Sequence, residues 1–242
     1  MKDMIVQQNM FDLFDQLQAH SDLNKTVNRG YRSVQSPINS WPNYIYDLHL
    51  NLNILSDIKN EIRSGKHPNF IILNEEQLTE HKEELQNAEI IPIAEWPLLY
   101  ADNLPIPANP SSSLIDIFEV KSQNELNEWC RVTSNSFHTV NPRIWNVKGG
   151  HNRFFLARQN NRAIATAMVF CNSASSGIYH CYTEPQFRNQ GIGSDLFRHC
   201  WIEALKSADL PVVAQATQKS ADAWTGLGMQ ICGHLYLLKF TI

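Results

Sequence analysis

The stretch that most constrains this chain is Glu184-Pro185-Gln186-Phe187-Arg188-Asn189-Gln190-Gly191-Ile192-Gly193. It follows Ile178–Thr183, a run that reads as a strand. It precedes Leu196, Phe197, Cys200, Trp201, Ala204, Leu205 and Ala208, whose spacing is the buried stripe of an amphipathic helix. A strand, a glycine turn and a helix start in that order leave several backbone amides without partners. Gly191 and Gly193 have no Cβ, so a ligand can approach the main chain closely. Orphan N–H groups and the positive end of the helix dipole favour an anion there. Pyrophosphate fills such a turn best.

Two phosphate loops are rejected on spacing. A Walker A loop needs Lys and Ser/Thr after its second glycine, and Ser194-Asp195 follow Gly193. A dinucleotide fingerprint needs Gly or Ala three residues after Gly193, where Leu196 stands.

Organisation along the chain is marked by Pro105-Ile106-Pro107-Ala108-Asn109-Pro110-Ser111-Ser112-Ser113, which reads as a linker. It separates residues 1–104, a smaller α/β domain, from residues 114–242. In the first part the pattern predicts a helix over 4–17, a strand over 44–50 and a helix over 51–63. A strand over 70–73, a polar helix over 75–86 and a strand over 90–94 follow. In the second part it predicts strands at 115–120, 154–157, 163–171, 178–183, 212–216 and 232–240. Helices are expected at 124–136, from about 192 and at 219–225. The polar turn Gln159-Asn160-Asn161-Arg162 signals a hairpin.

Residues 114–242 resemble the GNAT superfamily of acyl-CoA-dependent N-acetyltransferases. Arg188-Asn189-Gln190-Gly191-Ile192-Gly193 meets the signature Q/R-x-x-G-x-G/A, and Thr183-Glu184-Pro185 is similar to the T-x-P lead-in. Gln215-Ala216-Thr217 and Trp224-Thr225-Gly226-Leu227-Gly228-Met229 resemble the later segment, which usually ends Y-x-x-L-G-F. The order of elements from Ile115 onward is also the family's. The resemblance implies an α/β (α+β) fold with a mixed, mostly antiparallel sheet flanked by helices. The α/β pattern of residues 1–104 allows a degenerate GNAT-like half, without a second such turn.

The resemblance further implies acetyl-CoA as co-substrate and the primary amine of a small molecule, peptide or protein as acceptor. The strand at Cys181, Tyr182 and Thr183 would pair with the pantetheine arm. Arg188, Asn189, Gln190, Gly191, Ile192, Gly193 and Ser194 would hold the pyrophosphate, and Thr217 and Trp224 would line the cofactor arm. Phe137, His138 and Trp145 fall where relatives form the acceptor pocket, though core packing explains them equally. The family's active positions coincide with Gly177 and Tyr179, and Tyr179 is the catalytic candidate. Alternation sets Gly177, Tyr179 and Cys181 on one strand face and His180 and Tyr182 on the other; a bulge would swap these assignments. Trp224 replaces the usual acidic Tyr and cannot deliver a proton. That departure leaves open a non-catalytic acyl-CoA sensor or scaffold.

Composition bounds the rest. Charged residues make up 18% and the formal charge is −4, which weighs against nucleic acid or an acidic membrane as the main partner. The longest nearly apolar stretch, Ala163–Cys171, is far short of the ~20 residues a spanning helix needs. Five cysteines without a C-x-x-C pair read as free thiols, giving a cytoplasmic expectation. No ligand set recurs at zinc spacing, so no metal is expected. A monomer or homodimer fits equally.

Overall fold

The computed structural model describes residues 1–17, 23–28, 30–36, 41–102, 115–136, 140, 145, 151–207 and 209–241. The chain begins with α1 (Lys2–Leu17), β1 (Asn24–Val27), β2 (Arg32–Gln35), β3 (Asn43–Tyr46) and α2 (Leu52–Arg63). It continues through β4 (Phe70–Asn74), α3 (Glu75–Glu80), α4 (Lys82–Asn87) and β5 (Ile90–Ala101). Then come β6 (Asp116–Glu119), α5 (Gln123–Thr133), β7 (Asn152–Gln159), β8 (Arg162–Cys171) and β9 (Ser176–Thr183). A 3-10 turn at Pro185–Phe187 leads to α6 (Ile192–Ser207), β10 (Val212–Gln215), α7 (Gln218–Thr225) and β11 (Gln230–Phe240).

Among the described residues eleven strands share one sheet, in the order β1-β2-β3-β4-β11-β5-β10-β9-β8-β7-β6. Among the described strands only β3–β4 and β9–β10 pair in parallel, and an isolated parallel bridge joins Trp41 to Val140. This is the mostly antiparallel, helix-flanked α/β architecture that the resemblance implies.

The chain follows one itinerary twice. Three antiparallel strands, a helix, a strand parallel to the third, further helix and a closing strand describe β1-β2-β3-α2-β4-α3/α4-β5. The same words describe β7-β8-β9-α6-β10-α7-β11. The closing strands are exchanged: β5 pairs with β10, and β11 pairs with β4 as well as β5. The sheet therefore runs through both sides of the expected linker, which itself lies outside the described residues.

Local chemistry explains the elements. Asn51 caps α2 by accepting the Ile54 amide at 2.9 Å, and Ser122 and Glu125 form a reciprocal capping box on α5. Asn160 and Asn161, at φ of +50° and +64°, make the two-residue β7–β8 turn. Three corrections stand out. The helix expected over 75–86 breaks at His81 into α3 and α4. The strand expected over 44–50 ends at Tyr46. The strand expected over 90–94 runs to Ala101 despite Pro92 and Pro97.

Among the described residues three apolar cores result. One lies on the sheet face under α1 and α5, around Phe14, Trp129, Phe154 and Tyr179. The second lies on the face under α6 and α7, around Phe155, Ile178, Phe197 and Trp224. The third joins α2 to the first-pass strands through Ile45, Leu55, Ile58 and Ile71. Among the described residues no helix is long and apolar enough to cross a membrane.

Candidate active site

The site begins where the parallel pair β9–β10 comes apart. Their register runs Val212–Ser176, Val213–Gly177 and Ala214–Ile178 and goes no further. Gln215 and Ala216 turn to the other neighbour: Gln215 pairs with Leu98, and the Ala216 amide donates to the Pro97 carbonyl at 3.2 Å. Beyond Ile178, β9 thus parts from β10. A cleft between the carboxyl ends of diverging parallel strands is a general place for ligands in α/β sheets.

A bulge in β9 sharpens the divergence. Tyr179 faces Met168 and Tyr182 faces Thr166, so His180 and Cys181 both lie opposite Ala167. His180 sits at φ +51°, a conformation that costs a non-glycine residue about 1–3 kcal/mol unless its surroundings hold it. Here α5 holds it. The Trp129 indole donates to the Ala167 carbonyl at 2.9 Å, and Thr166 Oγ1 donates to the His180 carbonyl at 3.2 Å. Thr133 in turn donates to Thr166 at 2.9 Å.

The bulge corrects the simple alternation. Tyr179 and Tyr182 share the face under α1 and α5, whereas Cys181 packs with the core under α6. Tyr179 and Cys181 therefore do not face the same side.

Across the cleft, α6 opens on the glycine turn. Its first internal bond runs from the Asp195 amide to the Gly191 carbonyl at 2.9 Å, so the Ile192, Gly193 and Ser194 amides precede it and lack helical partners. Asn189 and Gly191 lie at φ +60° and +79°, which turns successive amides to one side as an anion nest does. A Cβ at Gly191 would meet nothing within 4 Å, so the turn opens outward. At Gly193 a Cβ would lie 3.2 Å from Thr183 Oγ1, so this glycine lets the helix approach the strand end. Arg188 ties the turn to β9, donating from Nε to the Thr183 carbonyl at 2.9 Å, with its guanidinium over the Tyr182 ring. The buried carboxylate of Glu184 pairs with Arg162 at 2.5 Å and receives Gln186 at 2.8 Å.

The expected site residues divide into groups. Cys181, Tyr182 and Thr183 and the turn from Arg188 to Ser194 meet at the cleft. Thr217 starts α7 near the opposite wall, its hydroxyl 3.1 Å from that of Ser220. Trp224 is buried and stacked on Phe197 at 4.0 Å between ring centres, which makes it a wall of the core under α6. Burial pushes the Cys181 thiol up to about 12. Tyr182 donates to the Asn135 carbonyl at 3.1 Å. Trp145 is buried and stacks on Trp41 at 5.6 Å. Phe137 and His138 lie outside the described residues.

Tyr179 is the most constrained. Its hydroxyl donates to Asn9 Oδ1 at 2.5 Å, and burial raises its pKa far above the ordinary tyrosine value. Asn9, fully buried on α1, also donates to the carbonyl and hydroxyl of Ser175 at 3.1 and 2.9 Å. Gly177 makes room: a Cβ there would sit 2.1 Å from Asn9 Oδ1.

Sequence reasoning missed Asn9, because nothing in an amphipathic helix says which strand its one buried polar residue will meet. It also missed the aromatic box around His180, in which the rings of Trp41, Trp129 and Trp145 lie 4.4, 5.5 and 5.9 Å away.

Comparison with known proteins points to one family. Residues 150–224, which include β7 through most of α7, match the acetyltransferase (GNAT) domain family. Over this segment the chain is similar to the GNAT family. The whole chain also superposes on solved structures. A GCN5-related N-acetyltransferase from Kribbella flavida matches with a TM-score of 0.77 at 13% identity, covering 98% of this chain and 96% of that one. One from Sphaerobacter thermophilus gives 0.65 at 10% identity, over 88% and 81%. A GCN5-related N-acetyltransferase-like protein from Streptococcus suis gives 0.55 at 12%, over 96% and 97%. At these identities the structures establish the fold. No curated protein matches the sequence. Acyl transfer from acyl-CoA is the activity the GNAT family implies, and the β9–β10 cleft with the α6 turn lies inside the matched segment.

Proposed function

We propose that this chain is an N-acetyltransferase that moves the acetyl group of acetyl-CoA to the primary amine of a small molecule, peptide or protein. The observation that carries this reading is the parting of β9 from β10 directly beside the glycine turn of α6. The amides from Asn189 to Ser194 suit a pyrophosphate, because they offer several N–H donors and the positive end of a sixteen-residue helix. The unpaired side of β9 at Cys181, Tyr182 and Thr183 suits an amide-rich arm, with Thr217 and Trp224 on the far wall. Phe137, His138 and Trp145 are assigned to the acceptor side.

In this reading the amine nitrogen attacks the thioester carbonyl, a C–N bond forms and the C–S bond breaks. Sulfur leaves as a thiolate, and the amine gives up a proton. Tyr179 can take part in that proton transfer only if its hydroxyl leaves Asn9. Held as it is, it fixes β9 just before the bulge. With Trp224 in the core, solvent is the simplest proton source for the thiolate.

Those same two observations favour a second reading, an acyl-CoA-binding sensor or scaffold. Release of free thiol from acetyl-CoA separates the two, using polyamines, amino acids and peptide N-termini as acceptors. Thiol release that depends on the amine supports the enzyme. Binding of acetyl-CoA with no release above the blank for any acceptor supports the sensor.

A further inference from the structure

The repeated itinerary gives the first pass a counterpart of the acyl-CoA cleft. β3 and β4 are parallel, as β9 and β10 are, and pair at Ile45–Ile71. The helix that follows β3 is α2, as α6 follows β9. At that junction lies a cavity of about 540 Å3, reaching from the β1–β2 loop to the first turns of α2. That volume falls within the roughly 300–1,000 Å3 of small-molecule sites.

Its chemistry is the reverse of the α6 turn. The start of α2 has no glycine turn, and the Asn51 carboxamide already occupies the Ile54 amide, where an anion would have to sit. Asp57 and Glu61, one turn apart on α2, face the cavity with Asn28, Asn60 and His49. No Lys or Arg is among its described lining residues.

Glu61 is held from behind. Its Oε2 receives the Tyr31 hydroxyl at 2.8 Å and lies 2.8 Å from His67 Nε2, while His67 Nδ1 lies 3.1 Å from the Ser33 hydroxyl. Tyr31, His67 and Ser33 are all buried. Both contacts fall on one carboxylate oxygen, so the second is available to a ligand. Two carboxylates one helical turn apart, with carboxamides beside them, offer the acceptors that an alkylammonium group needs.

We infer that the β3–α2 cavity binds a small aliphatic amine, its ammonium groups lodged against Asp57 and Glu61. The site is separate from the transfer cleft. β3 and β9 are five strand spacings apart in the sheet order, about 24 Å at ~4.8 Å each. A small amine seated there cannot reach the β9–β10 cleft, so binding needs neither acyl-CoA nor turnover.

The test is calorimetric titration of the full chain with 1,4-diaminobutane in the absence of acetyl-CoA, with 1,4-butanediol as the uncharged probe of equal length. The expected result is one saturable site for the diamine and none for the diol. Asp57 is exposed, so Asp57→Asn should fold, and it should weaken the diamine about tenfold, the loss of one charge-assisted hydrogen bond. No saturable heat, equal affinity in Asp57→Asn, or equal binding of the diol would each overturn the inference. Calcium chloride displacing the diamine at equimolar concentration would overturn the assignment to an organic cation. Acetyl-CoA titrated separately reports on the other site, so the two readings fail independently.

Discussion

Removing the Tyr179 hydroxyl separates a structural from a chemical role for this residue. In Tyr179→Phe, Asn9 Oδ1 loses its donor inside a core where Asn9 is fully buried. Gly177 lies so close that even a Cβ there would collide with that oxygen, so a water has little room to replace the hydroxyl. A buried acceptor left without a partner costs about 1–3 kcal/mol. At about 2–4 °C per kcal/mol for a chain of this size, a 2 kcal/mol loss lowers the melting temperature by about 4–8 °C. Differential scanning calorimetry reads this directly. The double variant Asn9→Leu/Tyr179→Phe should lose less than the sum of its single changes, because it removes both partners. A melting temperature within about 1 °C of wild type would refute the reasoning. Such a result together with lost turnover would return Tyr179 to the chemistry.

Other outcomes follow from the same geometry. Gly191→Asp places a carboxylate on the outward side of the turn at φ +79° and should abolish acetyl-CoA binding in a folded protein; unchanged affinity by calorimetry would contradict the anion nest. Cys181, its thiol pushed up to about 12 by burial, should resist iodoacetamide near pH 8 in the native protein and react once urea unfolds it; peptide mapping shows which. Hydrogen bonds from Lys206 and Arg153 hold the Glu203 carboxyl near 2, below its ordinary 4.5. Its contribution to stability is therefore present above pH 4.5 and is lost as pH falls through 2. Urea midpoints across that window should fall less steeply in Arg153→Gln than in wild type.

Much of this architecture is legible where local chemistry decides it. Asn160-Asn161 announces a hairpin, and α2 and α5, capped by Asn51 and by Ser122 with Glu125, begin within one residue of their expected starts at 51 and 124, because caps and turns act within four residues. The α6 turn is legible for the same reason. β1 and β2 are not: four-residue strands such as Asn24-Lys25-Thr26-Val27 carry no alternation to read and exist because β3 offers an edge. The strand expected over 90–94 already contains Pro92, which sits at a register shift against β11, and Pro97 does not end β5 because its carbonyl serves Ala216. The bulge at His180 is invisible to periodicity because α5, through Trp129 and Thr133, supplies its hydrogen bonds. Asn9 on Tyr179 joins residues 170 apart, a pairing only the folded sheet creates.

The most direct test of the central claim is isothermal titration of the full chain with acetyl-CoA. The account predicts one saturable site per chain, since one of the two parallel-strand clefts has an amide-rich glycine turn and the other is lined by carboxylates. Absence of binding, or two equivalent sites per chain, would contradict it.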